Sequence, residues 1–251
     1  MTLLELRQLC KDFDGLRAVD DVSFTVPKGK IIGLIGPNGS GKSTLINMIA
    51  GTTNVTSGAI WFDGMNITAL SSDKIFQQGI VRGYQDPSLF FKMTVLDNVL
   101  LPVKDQTGEN PWYAPWRRIW EHEEEANAGR AGDVLEQVLL REHFGKLASD
   151  LSGGQMKLLE IARALMGDPK LMLLDEPTAG VAPNLAYDIF KQIARLRTEY
   201  RITFLIVEHR LEILFDFVDY VYVMHMGALL AEGTAGQIAD NQTVREVYFG
   251  D

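Results

Sequence analysis

A chain of 251 residues, 46% hydrophobic and 23% charged with a mean hydropathy near zero, can bury one large core or two small ones and is not composed like a disordered segment. Its formal net charge of -9 opposes a phosphate backbone, so composition gives no support for nucleic acid as a partner. The single cysteine, Cys10, cannot form an internal disulfide, and no apolar stretch approaches the roughly 20 residues that a membrane-spanning helix needs.

The first residues, MTLLELRQLCKDF, lack the basic start and long apolar run of a signal peptide, and the expectation is a chain that stays in the cytoplasm. Residues 3–9 and 22–26 gather apolar positions on either side of the turn-like DFDG and predict two strands. IIGLI, residues 31–35, is a continuous apolar run and predicts a strand buried on both faces. Residues 36–44 then read GPNGSGKST, which matches glycine, four free positions and Gly-Lys-Ser/Thr. Gly36, Gly39 and Gly41, with Pro37, Asn38 and Ser40 between them, keep such a loop open so that main-chain N–H groups can curl around phosphate oxygens. The helix expected over 42–50 points its partly positive end at the same phosphates. In this motif Lys42 sets its ammonium on the terminal phosphates, Ser43 offers its hydroxyl to Mg2+, and Thr44 completes the pattern inside the helix.

SGAIWF at 57–62 predicts a further strand, and from about Thr94 to Leu165 the pattern turns helical, as in an inserted helical subdomain. Within that stretch LSGGQ, Leu151–Gln155, has a serine suited to cap a helix followed by two glycines. Such a terminus is a cap and turn or an anion site. LMLLDE, residues 171–176, is a second buried strand, ending in two acids. Alone, that pair would be a solvated turn; downstream of a phosphate loop, Asp175 is expected to hold Mg2+ through water and Glu176 to polarise the attacking water. A helical pattern over NLAYDIFKQIARLRTEY and a strand over ITFLIVEH follow. Strands alternating with helices predict an α/β fold with a mostly parallel sheet.

With its phosphate loop, its LSGGQ and its LMLLDE in this order, the chain resembles the ABC ATPase family from Leu3 to its end. The resemblance implies an ABC-type P-loop fold: a mostly parallel core flanked by helices, an antiparallel β subdomain and an inserted helical subdomain. It places residues 1–251 in a single domain, with the catalytic core over 1–84 and 166–251 and the helical subdomain over 85–165. It implies hydrolysis of ATP to ADP and phosphate with Mg2+, with Lys42, Gln85, Glu176 and His209 as catalytic residues and Ser43, Gln85 and Asp175 at the metal. Gln85, in RGYQDPSLF, matches the glutamine that senses nucleotide, and His209, in IVEHR, the switch histidine that meets the γ-phosphate. Phe13 stands where family members stack an aromatic ring, often tyrosine, on adenine. In the family, the loop matched by Ser152, Gly153, Gly154 and Gln155 seals a nucleotide held by an opposite subunit, which implies a homodimer or a heterodimer with a second ABC ATPase. Ala182, in AGVAP, departs from the common pattern, which has aspartate in the loop that faces the second site.

GVAP and the ending VREVYFG are similar to ATPase subunits of branched-chain amino acid and urea or amide importers. That subfamily implies integral membrane permease subunits, indirectly a solute-binding protein, and a peripheral place on the cytoplasmic face of the membrane. Pro87–Leu100, with Phe90, Phe91 and Val95, is either the permease-docking surface or packing within the subdomain. Pro111–Trp120, PWYAPWRRIW, holds three of the four tryptophans and either packs locally or meets lipid or permease. A lipopolysaccharide-export motor and a soluble, non-transport ABC module are the alternative readings.

Overall fold

The structure is a computed structural model that describes residues 1–83, 89–104 and 106–249, the side chain of the last excepted. Two compact units make it up: Met1–Gln85, Lys170–Ala179 and Ala186–Asp251 form the first, Asp86–Pro169 and Gly180–Leu185 the second. The second unit therefore runs beyond residue 165 and takes in a short segment around Ala182, which the chain reaches only after returning to the first unit.

The first unit opens with β1 (Thr2–Phe13) and β2 (Leu16–Pro27), an antiparallel hairpin. Its turn is Asp14-Gly15, where both residues take positive φ, as a tight hairpin with the right twist requires. Both strands are longer than their apolar clusters because alternate residues face solvent, and burial along β2 switches with period two at Val22, Phe24 and Val26. Next come β3 (Ile31–Ile35) and α1 (Lys42–Ile49). The strand β4 (Ser57–Phe62) pairs antiparallel with β1, and β5 (Met65–Asn66) closes a four-stranded sheet of order β2-β1-β4-β5. A short helix, α2 (Ser72–Gln78), leads to β6 (Ile80–Gly83).

The second unit contributes α3 (Val95–Leu100), α4 (Arg117–Gln137) and α5 (Gly153–Met166), which pack on one another. Asn98 of α3 is fully buried. Its amide accepts from Phe90 N at 2.9 Å and donates to Phe90 O at 3.0 Å and Thr94 O at 2.9 Å, so the turn before the helix is pinned from inside. Val95 is buried, whereas Phe90 and Phe91 are exposed. In the tryptophan-rich stretch local packing holds only for Trp120, whose Nε1 donates to Ala114 O at 3.2 Å; Trp112 and Trp116 are 84% and 66% exposed.

Back in the first unit follow β7 (Leu171–Asp175), α6 (Pro183–Tyr200, whose first residues belong to the second unit), β8 (Thr203–Val207), α7 (Leu211–Phe217), β9 (Tyr220–His225), β10 (Ala228–Gly233), α8 (Ala235–Ala239) and α9 (Gln242–Phe249). They complete a six-stranded sheet of order β10-β9-β3-β8-β7-β6, parallel except for β10. Residues of β3, β7 and β8 are buried throughout, as a sheet covered on both faces demands. Ile32 and Leu34 join one core with the antiparallel sheet and α1, while Gly33 on the opposite face lies against Leu214 of α7. Because β8 sits between β3 and β7, with Asp175 level with Val207, the segments after all three strands emerge at the same carboxyl edge. Ligands of open α/β sheets bind at that edge. Among the described residues no helix is long and apolar enough to cross a membrane.

Candidate functional site

The loop between β3 and α1 borders a cleft of about 590 Å3. Its backbone explains its glycines. Gly41, at φ +99°, turns the chain into α1 with its α-carbon against the carbonyl of Ala18, and Gly36, at φ +152°, passes the carbonyl of Met224; a side chain at either place would collide with that backbone. Lys42 is buried beneath the loop, where its ammonium donates to Gly36 O at 2.7 Å, Pro37 O at 2.9 Å and Ser40 Oγ at 3.4 Å. Burial pushes this ammonium below the usual lysine range, although the Glu176 and Asp175 carboxylates pull the other way. Ser43, on the next residue of α1, is exposed and lines the cleft with Thr44.

Glu176 follows β7 in a left-handed conformation, φ +50°, that non-glycine residues seldom adopt. Two hydrogen bonds hold it there: its N–H donates to Val207 O at 2.8 Å and its carbonyl accepts from Ala179 N at 3.0 Å. Its side chain meets His209, with Glu176 Oε1 at 3.1 Å from Nε2, and both line the cleft. Asp175 lies at the edge of β7, mostly buried, with Oδ2 at 3.6 Å from Arg82 Nη2. Arg82 of β6 also donates to Asn47 of α1. Phe13, at the end of β1, forms the cleft's outer wall, 45% exposed, with the Lys11 ammonium 4.7 Å from its ring centre.

The structure thus gathers Phe13, Asn38 to Thr44, Glu176 and His209 around one cleft. Gln85 lies outside the described residues. Ser152, Gly153, Gly154 and Gln155 stand in the other unit, at the start of α5. There Ser152 Oγ accepts from Gln155 N at 3.4 Å while Gln155 Oε1 accepts from Ser152 N at 2.9 Å, a reciprocal cap. Sequence reasoning missed Arg17, Met226 and Gly227 on the cleft wall and Arg82 behind Asp175. Arg17 is held at the wall by ion pairs to Asp12 and Asp20, and only pairing between distant strands brings these residues in, so no local pattern marks them.

Residues 19–179 match the family described as ABC transporter. The chain belongs to that family. This ABC cassette is 41% identical over 255 residues to the "Probable branched-chain amino acid transport ATP-binding protein LivG" of Methanocaldococcus jannaschii, covering 100% of this chain and 98% of the relative. It is 36% identical over 250 residues to the "High-affinity branched-chain amino acid transport ATP-binding protein BraF" of Pseudomonas aeruginosa, covering 99% and 98%. A solved ATP-binding cassette of an ABC transporter in its ADP conformation covers 100% of both chains at 41% identity with a TM-score of 0.88. The cassette therefore binds ATP and is an ATPase of the transport type.

Proposed function

We propose that this chain is the motor subunit of an importer for branched-chain amino acids or related small polar solutes, working as a dimer on the cytoplasmic face of the membrane. The observation that carries the reading is the carboxylate and imidazole pair, Glu176 and His209, lining the same cleft as the glycine loop and Lys42. In this reading Lys42 leaves its carbonyl partners for the phosphates of ATP, and Phe13 offers its open ring to the adenine. Glu176 then aligns a water molecule for attack on the γ-phosphorus, with the phosphate oxygens stabilised by loop N–H groups, Lys42 and His209.

Mg2+ suits the oxygen donors present. Ser43 and Asp175 supply a hydroxyl and a carboxylate, and magnesium is commonly held by one or two such groups together with phosphate oxygens. Among the described residues no cluster of three His, Cys, Asp or Glu offers a metal cage of its own. Gln85 is assigned to the metal and the γ-phosphate on the family pattern alone. Ser152, Gly153, Gly154 and Gln155 are assigned to the nucleotide of the opposite subunit, which makes each site depend on two chains.

Full-length similarity to branched-chain amino acid transport proteins supports the importer reading over the export motor and the stand-alone module. Exposed Phe90 and Phe91, on a turn pinned by Asn98, are the side chains offered to permease subunits. The test is co-expression with the neighbouring permease genes and assay in proteoliposomes. The expected outcome is co-purification and ATPase activity stimulated by a solute-binding protein loaded with leucine. Hydrolysis indifferent to that protein and to every such solute would reject the importer assignment.

A further inference from the structure

Glu208, the residue before His209, is an acid buried to 2% exposure directly after β8, a strand buried along its whole length. A carboxylate taken out of water is costly unless its lone pairs are filled. Here they are filled by main-chain and hydroxyl donors. Oε1 accepts from Thr178 N at 3.2 Å and from the Thr178 hydroxyl. Oε2 accepts from His209 N at 2.7 Å and Arg210 N at 3.2 Å. Four donors converge on two oxygens, the full capacity of an ionised carboxylate. Thr178 itself has no exposed surface.

The two halves of this network belong to different loops. Thr178 lies two residues after Glu176, on the segment leaving β7, and His209 follows Glu208 on the segment leaving β8. One carboxylate therefore ties together the loops that carry the Glu176 and His209 side chains, which meet at 3.1 Å. We propose that Glu208 is a positioning residue for hydrolysis: bridging Thr178 to His209, it fixes the two side chains relative to each other. The assignment rests on the ATPase reading above and adds a residue that does not itself touch nucleotide. Aspartate is one methylene too short to span both loops. Glutamine keeps one acceptor oxygen and turns an NH2 toward donors on the other side.

Steady-state ATPase kinetics on the full-length protein test this, with nucleotide affinity and melting temperature measured alongside. Glu208→Ala is expected to lower kcat by about 10- to 100-fold, the effect of displacing catalytic groups by about an ångström. KM and Kd for ATP should stay within about 3-fold, because the phosphate loop is carried by another strand. Glu208→Gln should recover part of the loss. Thr178→Val, which keeps shape and removes the hydroxyl, should lower kcat alone and lower it no further when added to Glu208→Ala. A folded Glu208→Ala protein with normal kcat, a KM rising in step with the fall in kcat, or additive losses in the double variant would each overturn the proposal. Should Glu208→Ala fail to fold, unchanged kcat in Thr178→Val overturns it by itself. Absence of ATP hydrolysis by the parent protein would defeat the ATPase reading instead, a result distinguishable from failure of the clamp.

Discussion

Glu176 occupies a left-handed backbone conformation in a position where glycine would be at ease, a cost of about 1–3 kcal/mol that the surrounding hydrogen bonds must offset. Strain of this kind persists where the side chain has to be aimed, and here it is aimed at His209 and the cleft. Glu176→Gln preserves shape and removes the carboxylate's basicity. The expected outcome is ATP affinity within about 3-fold of the parent and phosphate release slowed by about 100- to 10,000-fold, the usual contribution of a general base. Near-normal release would refute the assignment. Lys42→Ala removes instead a charge-assisted donor, and nucleotide titration should show affinity weakened by about 10- to 100-fold. Both side chains could be named from sequence because each closes a strongly patterned segment: the lysine follows a glycine loop and the acid ends an apolar strand. Arg82 could not, since it lies on a four-residue strand whose meaning comes only from the neighbour it pairs with, β7.

At the scale of elements, the amino end of the parallel sheet is fastened by Asp219, just before β9. Its carboxylate accepts from Ile31 N at 2.9 Å, Lys30 Nζ at 2.9 Å and Arg197 Nη1 at 2.9 Å, and so joins the starts of β3 and β9 to α6. Burial by itself would push the Asp219 carboxyl up, but these donors outweigh it and hold the group below its ordinary value of 3.8. Folding thus favours the ionised form: the stabilisation is fully present above that ordinary value and is lost as pH falls through the depressed folded-state value. Asp219→Asn should lower the melting temperature by about 3–10 °C at pH 7. The difference from the parent should shrink in thermal scans taken progressively below pH 4. A difference that stayed constant down to pH 2 would show that ionisation of Asp219 contributes nothing.

At the scale of the molecule, a chain with one phosphate loop and one LSGGQ segment has the parts of two half-sites, which is why the proposed working form is a pair. Glu176→Gln with Mg2+ and ATP should double in mass by light scattering, because nucleotide is held but not consumed. Adding Ser152→Phe should return it to the mass of a single chain, with ATP affinity in the isolated chain within about 3-fold and a cap loss of about 0.5–2 kcal/mol in α5. A dimer that persisted in the double variant would remove the LSGGQ segment from the interface. Ala182 is exposed where the family pattern has aspartate, so the AGVAP loop lacks the charge usual at that position.

Local chemistry was legible in the amino-acid order. Glycine spacing specifies a phosphate loop because only glycine accepts the φ values at Gly36 and Gly41, and unbroken apolar runs specify strands covered on both faces. The strands at β3, β4, β7 and β8 and the helix at α1 follow from those patterns. The helical pattern from Thr94 to Leu165 resolves into α3, α4 and α5, while in the segment before α4 Trp112 and Trp116 face outward where aromatic residues are ordinarily covered. Tertiary pairing alone decided that β8 lies between β3 and β7, that Arg17 and Met226 wall the cleft, and that Glu208 reaches Thr178. An apolar strand declares that it is buried, while its choice of neighbour depends on contacts between residues far apart in the chain, and those contacts exist only once the sheet has formed.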